Sequence, residues 1–261
     1  MTKTNTLQAT KEFYSKIQSI EKTRVLQSMT KAYIDYMEGN EPSLKKVISY
    51  LLTTKMNGKM EGFQSLSTSN LCNQYCKAYK TINNCICSKC YADGQLKMYK
   101  NQALKLELST LVLRELLKVE DLPIINASYF RFEAFGDLSN EIQFINYCNI
   151  ARINQDTKFT LWTKNPFIIA NAIEDGVVIP ENMRIIYSEK MIDRTFTENE
   201  LSDLANKYPF IWKVFAVYST EKTRVAAVEG GYHHCQKSCM TCKYCYRHES
   251  KGLSVIAELL K

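Results

Sequence analysis

Residues 127–137 read ASYFRFEAFGD, and their alternation decides the fold class. In an extended chain Phe130 and Phe132 point to one face, while Arg131 and Glu133 point to the other. Such a strand needs an apolar layer on its aromatic side and either a polar cavity or ion pairs on its charged side, because unpaired buried charges are costly. The segment therefore predicts a buried strand with polar side chains at its carboxyl end.

The chain after this strand alternates between helix and strand patterns. Helices are predicted over residues 139–153, 166–176 and 198–207, and the strands between and after them are KFTLWTKN (158–165), MRIIYSEK (183–190) and WKVFAVYST (212–220). This alternation is typical of parallel strands joined by right-handed crossovers. About five βα units are too few for a closed eight-stranded barrel. The predicted fold is therefore α/β, a partial (β/α) TIM-like barrel or open sheet, with N-terminal helices and a C-terminal cysteine-rich segment.

The parts outside this alternation carry weaker patterns. Residues 4–39 predict helices that end at Gly39, and Asn57-Gly58 between two strand-like runs predicts a hairpin. Residues 95–119 predict a long amphipathic helix, and GLSVIAELL (252–260) predicts a short capping helix. The predicted domains are a helical extension (1–45), the partial barrel with a cysteine-rich loop at 72–90 (46–231), and a cysteine-rich metal-binding segment with the capping helix (232–261).

Polar side chains near the strand ends are candidates for a ligand pocket. Parallel α/β folds keep their chemistry at the carboxyl edge of the sheet. Two candidates lie on the aromatic strand, one in the turn after it and one at the end of the next strand: Arg131, Glu133, Asp137 and Lys164. The alternative is that these residues form structural salt bridges.

Nine of the ten cysteines lie in two short segments. Residues 72–94 hold five of them, and residues 232–248 hold four. Stable disulfides are uncommon in the reducing cytosol, so this density predicts metal ligation. The tenth, Cys148, falls in an apolar helix pattern and is expected to be a small buried hydrophobe.

The spacing of the second segment favours an iron–sulfur cluster. Its candidate ligands are Cys235, Cys239, Cys242 and Cys245. Such closely spaced thiolates wrap a four-iron cluster, whereas structural zinc usually uses two CxxC pairs that a longer loop separates. Zinc is the alternative, and the only histidines of the chain flank this segment and could replace a thiolate: His233, His234 and His248.

The first segment offers five thiols. Its candidate ligands are Cys72, Cys76, Cys87 and Cys90. Cys85 and Cys87 are separated by one residue and diverge in an extended backbone, so only one of the two is expected to bind a given cluster. Cys85 is the reserve candidate for the place of Cys76.

Positive charge follows the cysteines. Residues 72–100 and 233–261 carry formal charges of +4 and +3, which together equal the net charge of +7. Clustered lysine and arginine are typical of a nucleic-acid surface, and they also stabilise the negative charge of thiolates around a metal. Both interpretations stay open. No apolar run reaches the length of a membrane span and no signal peptide begins the chain, so no membrane partner and a cytoplasmic location are expected.

Four elements in combination resemble a known family. They are the C-x2-C-Y-A element at Cys87–Ala92, RFEAFGDL (131–138), FTLWTKN (159–165) and the C-terminal cysteine run. Over about residues 60–247 the chain resembles the bacteriophage gene product 88 family. The resemblance implies a radical-SAM-like partial barrel and, for a phage-encoded protein, the host cytoplasm. It matches Cys72, Cys87 and Cys90 to the family's first cysteine set, and Gly136 and Asp137 to its Gly-Asp turn.

The chain departs from radical-SAM enzymes in two respects. Those enzymes carry CxxxCxxC after the first strand, whereas this spacing occurs here at Cys235–Cys242, near the other end. A glycine-rich S-adenosylmethionine motif after the second strand is missing, so that cofactor has no motif in its support. The function expected is that of an iron–sulfur protein with one or two [4Fe–4S] clusters, a redox or radical role and an electron-transfer partner. The alternative is a zinc-stabilised protein that binds nucleic acid through its basic cysteine loops.

Overall fold

The computed structural model describes residues 3–235, 238–247 and 253–260, which form an α/β fold around a parallel seven-stranded sheet. The strands are β1 (Gln64–Leu66), β2 (Tyr129–Phe132), β3 (Lys158–Thr163), β4 (Met183–Ser188), β5 (Ile211–Tyr218), β6 (His233–His234) and β7 (Ser254–Leu259). Their order is β1-β2-β3-β4-β5-β7-β6. The first five strands thus lie side by side in chain order, which is compatible with the predicted partial barrel.

Helices precede, connect and follow these strands. They are α1 (Lys3–Gln18), α2 (Arg24–Glu38), α3 (Lys45–Leu51), α4 (Gln74–Lys80), α5 (Tyr91–Met98), α6 (Lys100–Val112), α7 (Glu141–Ile153), α8 (Pro166–Glu174), α9 (Glu198–Lys207), α10 (Glu221–Glu229) and α11 (Cys239–Cys242). The predicted helices at 139–153, 166–176 and 198–207 are confirmed as α7, α8 and α9. Local signals explain them: Asn140 caps α7, Pro166 lies in the first turn of α8, and Thr197 forms a capping box on α9.

One face of the sheet is apolar and packs on the helices. Phe130, Phe132 and Phe159 are fully buried there, and the Phe132 ring stacks on Tyr147 of α7 with centroids 4.2 Å apart. The predicted alternation of β2 is confirmed for Phe130 and Phe132 and for Arg131, which lies on the opposite face. Cys148 is buried in this core, as expected.

The N-terminal helices belong to the same core. Residues 4–39 form two helices with a break at 19–23, and Gly39 ends the second in a left-handed conformation with φ of 85°. Ile17 of α1 and Tyr33 of α2 are buried in the same hydrophobic cluster as the β2 phenylalanines. The Tyr33 hydroxyl also donates a hydrogen bond to the Leu111 carbonyl of α6 over 3.2 Å.

Two predictions about the first hundred residues are wrong in detail. The hairpin at Asn57-Gly58 is absent: its first arm is α3, because the apolar residues Val47, Ile48 and Leu51 share one buried helical face. Only one antiparallel bridge joins Thr53 to Ser65. The predicted helix at 95–119 is two helices, α5 and α6, which meet at the non-helical residue Tyr99, and α6 ends at Val112.

The predicted capping helix is also wrong. Residues 254–259 form β7, which pairs in parallel with β5 on one side and β6 on the other. The period of two in this segment explains the strand, since Val255 and Ala257 are buried against the helices and Glu258 points to the opposite face. The C-terminal cysteine run is therefore the connection between β6 and β7, integral to the sheet.

Candidate functional site

A cavity of about 1020 Å³ lies at the carboxyl ends of the strands, on the face opposite the helices. We call this face of the sheet the cavity face, and its side chains include Arg131, Thr160, Trp162, Phe215 and Glu258. Both cysteine segments line the cavity. Cysteines that are at least 145 residues apart in the sequence (Cys90 and Cys235) thus meet around one space.

The first segment contributes three thiols to the cavity wall. Cys76 lies on α4, Cys87 in a 3-10 turn at Ile86–Lys89, and Cys90 immediately before α5. The three thiols act on one another electrostatically and together on the ammonium of Lys164. Burial raises the pKa of the Cys87 thiol to about 12. We call Cys76, Cys87 and Cys90 the N-terminal thiol set.

Hydrogen bonds hold this segment to the sheet. The Asn73 side chain accepts the Tyr75 N–H over 2.9 Å at the start of α4 and donates to the Asp137 carbonyl after β2 over 2.8 Å. Farther along, the Ile86 N–H donates to the Lys190 carbonyl after β4 over 2.8 Å. The loop therefore spans the carboxyl edge of the sheet from β2 to β4.

The other two thiols of the first segment lie outside the cavity wall. Cys72 does not line the cavity; its thiol is hydrogen-bonded to Ser69, and Glu107 and Arg114 of the α6 region act on it electrostatically. Cys85 is fully buried, and its thiol interacts with Cys87. Three of the four predicted ligands of this segment thus line the cavity, whereas Cys72 does not.

The second segment lies across the middle of the cavity face. Cys235, Cys239 and Cys245 line the cavity. The sulfur of Cys242 is 3.5 Å from Nε2 of His233, whose ring stacks on Tyr244. Burial raises the pKa of the Cys245 thiol to about 12. We call Cys235, Cys239, Cys242 and Cys245 the C-terminal thiol set; His248 is outside the described residues.

Cations surround the C-terminal thiol set. The Lys59 ammonium donates to the Cys235 carbonyl over 2.6 Å and lies 3.8 Å from its sulfur. The same ammonium forms a salt bridge of 2.5 Å with Glu258 on β7. Arg131 acts electrostatically on the thiols of Cys239 and Cys245. A negatively charged metal centre would be stabilised by these groups.

Arg131 is held by stacking. Its guanidinium lies 4.2 Å from the centre of the Trp162 ring, which meets Phe215 edge-on. Its Nε atom is buried and has no hydrogen-bond partner in the described part of the chain. The alternative of a salt bridge between Arg131 and Glu133 is not realised.

Glu133 lies beyond the regular strand and turns away from Arg131. Its backbone has a positive φ of 57°, so the alternation of β2 ends at Phe132 and the carboxylate does not lie beside Arg131, although Glu133 lines the same cavity. The carboxylate accepts hydrogen bonds from Thr68, from Gln143 over 2.7 Å and from the Tyr147 hydroxyl. Burial raises the pKa of Glu133 to about 7 in spite of these donors.

Asp137 joins the ends of β2 and β3. Its carboxylate accepts the Thr163 hydroxyl over 2.5 Å and the Lys164 N–H over 2.9 Å. Burial raises the pKa of Asp137, while Lys164 lowers it in part. For Lys164, burial lowers the pKa, but Asp137 and the N-terminal thiol set outweigh burial and raise it. Asp137 thus positions Lys164, and only Lys164 of this pair lines the cavity.

Sequence reasoning missed two residues of the site. Lys59 was assigned to a hairpin arm and Glu258 to a capping helix, so neither was placed near the cysteines. The alternation in SVIAEL was the available signal for Glu258, whereas no local pattern marks Lys59.

Within residues 3–235, 238–247 and 253–260, no three His, Cys, Asp or Glu side chains are grouped closely enough to hold a single metal ion. In the same ranges no helix has the length and apolar character needed to cross a membrane. No family model, curated protein or solved structure matches the chain.

Proposed function

We propose that the protein is an iron–sulfur protein whose two cysteine sets each hold a [4Fe–4S] cluster at one ligand cavity. The observation that carries the proposal is that thiols from both segments line the same 1020 Å³ space. Thiolates are the ligands of such clusters, so the donor chemistry of both sets fits. The cations Lys59, Arg131 and Lys164 lie beside the two sets and support a negatively charged centre at each.

The two sets support different roles. The C-terminal thiol set offers four cysteines, enough for every iron of a [4Fe–4S] cluster. The N-terminal thiol set offers three, so one iron would be free to bind a ligand from the cavity. When bound, such clusters supply and accept single electrons. The proposed role is redox or radical chemistry on a cavity ligand, with the C-terminal cluster as the electron relay.

The protein's own residues would bind and orient that ligand. Lys164 and Arg131 offer positive charge at the two sides of the cavity, and Trp162 offers a flat ring between them in the sheet. The resemblance to the phage family supports a radical-SAM-like role. The glycine-rich motif for S-adenosylmethionine is missing, so no sequence motif supports that cofactor here.

Metal analysis tests the proposal. Protein expressed with ample iron and purified without oxygen should be brown and contain about eight iron and eight labile sulfide per chain. Replacement of both Cys239 and Cys242 by serine should remove about half of the iron. Replacement of Cys148 by alanine is the matched control, because this buried cysteine is outside both sets and its loss should leave the iron content unchanged. Stoichiometric zinc without iron would contradict the proposal and favour the zinc alternative.

A further inference from the structure

The mouth of the cavity is a basic and aromatic rim. Among the described residues that line the cavity, every exposed charged side chain is a lysine. The rim consists of Lys55, Lys77, Lys80, Lys89, Tyr91 and Tyr99, which we call the lysine–tyrosine rim. Tyr91 and Tyr99 are 55% and 56% exposed, and the Tyr91 hydroxyl donates a hydrogen bond to the Ala134 carbonyl.

The acidic residues of the cavity do not offset this charge. Asp93 is buried and is bound by Lys80 at 2.7 Å and by Lys97 at 2.8 Å. Glu258 is bound by Lys59, and Glu133 is buried among its own donors. Lys55, Lys77 and Lys89 are exposed and form no salt bridge in the described part of the chain, although Lys89 acts electrostatically on Asp193. The mouth therefore presents a net positive field to a ligand that approaches it.

Charge compensation of the thiols does not explain the whole rim. Lys164 and Arg131 already lie inside the cavity, next to the N-terminal and C-terminal thiol sets. Exposed lysines at the mouth are screened by solvent and add little to a centre inside. Compensation also gives no reason for the exposed ring of Tyr99, whereas Tyr91 is held in part by its hydrogen bond to the Ala134 carbonyl.

We propose that the lysine–tyrosine rim binds a single-stranded nucleic acid and that one of its nucleotides enters the cavity as the ligand of the site. Lysines would contact the phosphates, and exposed rings would stack on bases, which is how proteins bind single strands without reading their sequence. The cavity is at the upper end of the range of about 300–1,000 Å³ that ligand sites occupy, so it has room for a nucleotide. Trp162 and the guanidinium stacked on it offer a flat surface for a base inside.

This inference rests on the proposed function for the chemistry inside the cavity, but not for the binding itself. The test is fluorescence anisotropy of cluster-loaded protein with labelled single-stranded RNA and DNA of one sequence, without oxygen, at several salt concentrations. The wild-type dissociation constant should be on the order of 10⁻⁶ M or tighter, and affinity should fall steeply with salt. Preference for RNA, for DNA or for neither supports the proposal and identifies the natural strand.

Two variants separate the rim from general charge. The double variant Lys77→Gln/Lys89→Gln should weaken binding about tenfold or more. The salt slope, by which we mean the slope of the logarithm of the binding constant against the logarithm of the salt concentration, should become shallower by about 1.4, the value for two lost phosphate contacts. Lys45→Gln with Lys158→Gln removes the same charge from exposed positions outside the cavity and should have a much smaller effect. Tyr99→Ser should weaken binding about fivefold or more without change in the salt slope.

Four results would overturn the inference. They are no binding by iron-loaded protein, preference for duplex over single strand, equal losses in the rim and control variants, and displacement of the strand by polyglutamate as effectively as by unlabelled strand. The last result would indicate an acidic protein partner. If the protein takes up no iron after anaerobic expression with ample iron but still binds the strand, the inference stands and the proposed function is overturned instead.

Discussion

The Tyr246 hydroxyl donates a hydrogen bond over 3.2 Å to the Phe130 carbonyl on β2 and accepts one over 3.0 Å from Thr160 on β3. These two bonds join the C-terminal cysteine run to the centre of the sheet. The Tyr246 ring is buried and meets Phe63 and Tyr129 at centroid distances of 5.5 and 5.1 Å. Tyr246 therefore anchors the segment that carries the C-terminal thiol set to the cavity face of the sheet.

Tyr246→Phe should lower the free energy of unfolding by about 1–3 kcal/mol, because it leaves the Thr160 hydroxyl buried without this partner. Anaerobic urea unfolding measures the loss. The C-terminal cluster should also be lost faster on exposure to air, as followed by its visible absorbance. Tyr99→Phe is the control, since its ring is exposed, and it should change neither value. An unchanged unfolding free energy for Tyr246→Phe would show that the two bonds do not hold the run in place.

Gly136→Ala should destabilise the protein strongly. A Cβ atom there would lie 2.5 Å from both Glu133 Oε2 and Thr68 Oγ1 and 2.6 Å from the Thr68 carbonyl, and this backbone atom cannot move aside easily. We expect a loss of about 2–3 kcal/mol in urea unfolding, in the upper part of the range for overpacking. Gly94→Ala in α5 is the matched control, because its Cβ would meet nothing within 4 Å. The control should be neutral or up to about 1 kcal/mol more stable. Equal effects in the two variants would contradict this account of Gly136.

Sequence patterns predicted the part of the fold in which each segment buries one face against its neighbours. The strands β2 to β5 and helices α7 to α9 have clear periods and caps, so their existence followed from local residues. The helix prediction for residues 254–259 was wrong because a short apolar run fits either a helix or a strand. This run is a strand because it pairs with β5 and β6, which are distant in the sequence. The hairpin prediction at Asn57-Gly58 was wrong because burial of one face of α3 outweighed the turn preference of this pair.

The two cysteine segments that line the cavity were predictable as candidate donors, their grouping was less so, and metal binding by them stays a prediction. Cysteine spacing predicted both segments, since close thiols are expected to bind metal if the protein is cytosolic. Spacing could not show that Cys76 joins Cys87 and Cys90 while Cys72 does not line the cavity, because this depends on how α4 sits on the sheet. In the same way, alternation assigned Glu133 to the face of Arg131, but the positive φ of Glu133 turned its carboxylate toward Tyr147.

The buried carboxyl of Glu133 should make stability depend on pH. Its pKa rises from 4.5, the ordinary value, to about 7 in the folded protein. Between these pH values the folded state binds more protons than the unfolded state. The contribution of Glu133 to the free energy of unfolding is therefore most favourable below pH 4.5 and is lost as the pH rises through 7. Between pH 4.5 and 7.5 the free energy of unfolding of the wild type should therefore fall by up to about 3 kcal/mol relative to that of Glu133→Gln. Urea unfolding of both proteins across this range measures the difference, in which the histidines common to both cancel.

A pH-independent difference between these two proteins would mean that the donors Thr68, Gln143 and Tyr147 keep Glu133 ionised throughout. Tyr147→Phe provides a second check, because removal of one donor should raise the pKa of Glu133 further and move the transition to higher pH. Movement to lower pH would contradict the assignment of the transition to Glu133.

The last prediction concerns which cysteines of the first segment hold metal. Cys76 lines the cavity with Cys87 and Cys90, whereas Cys72 does not line it and is hydrogen-bonded to Ser69. Under the two-cluster proposal, Cys76→Ala should therefore remove about half of the iron, because two thiols hold a cluster poorly. Cys72→Ala should leave the iron content near that of the wild type. Anaerobic iron and sulfide analysis of both variants, with electron paramagnetic resonance of the reduced proteins, measures the outcome. Loss of iron in Cys72→Ala but not in Cys76→Ala would reverse the assignment, since α4 would then have to turn so that Cys72 replaces Cys76 at the cavity. Cys85→Ala completes the comparison: this thiol contacts Cys87 from behind the cavity wall, so its loss should spare the cluster.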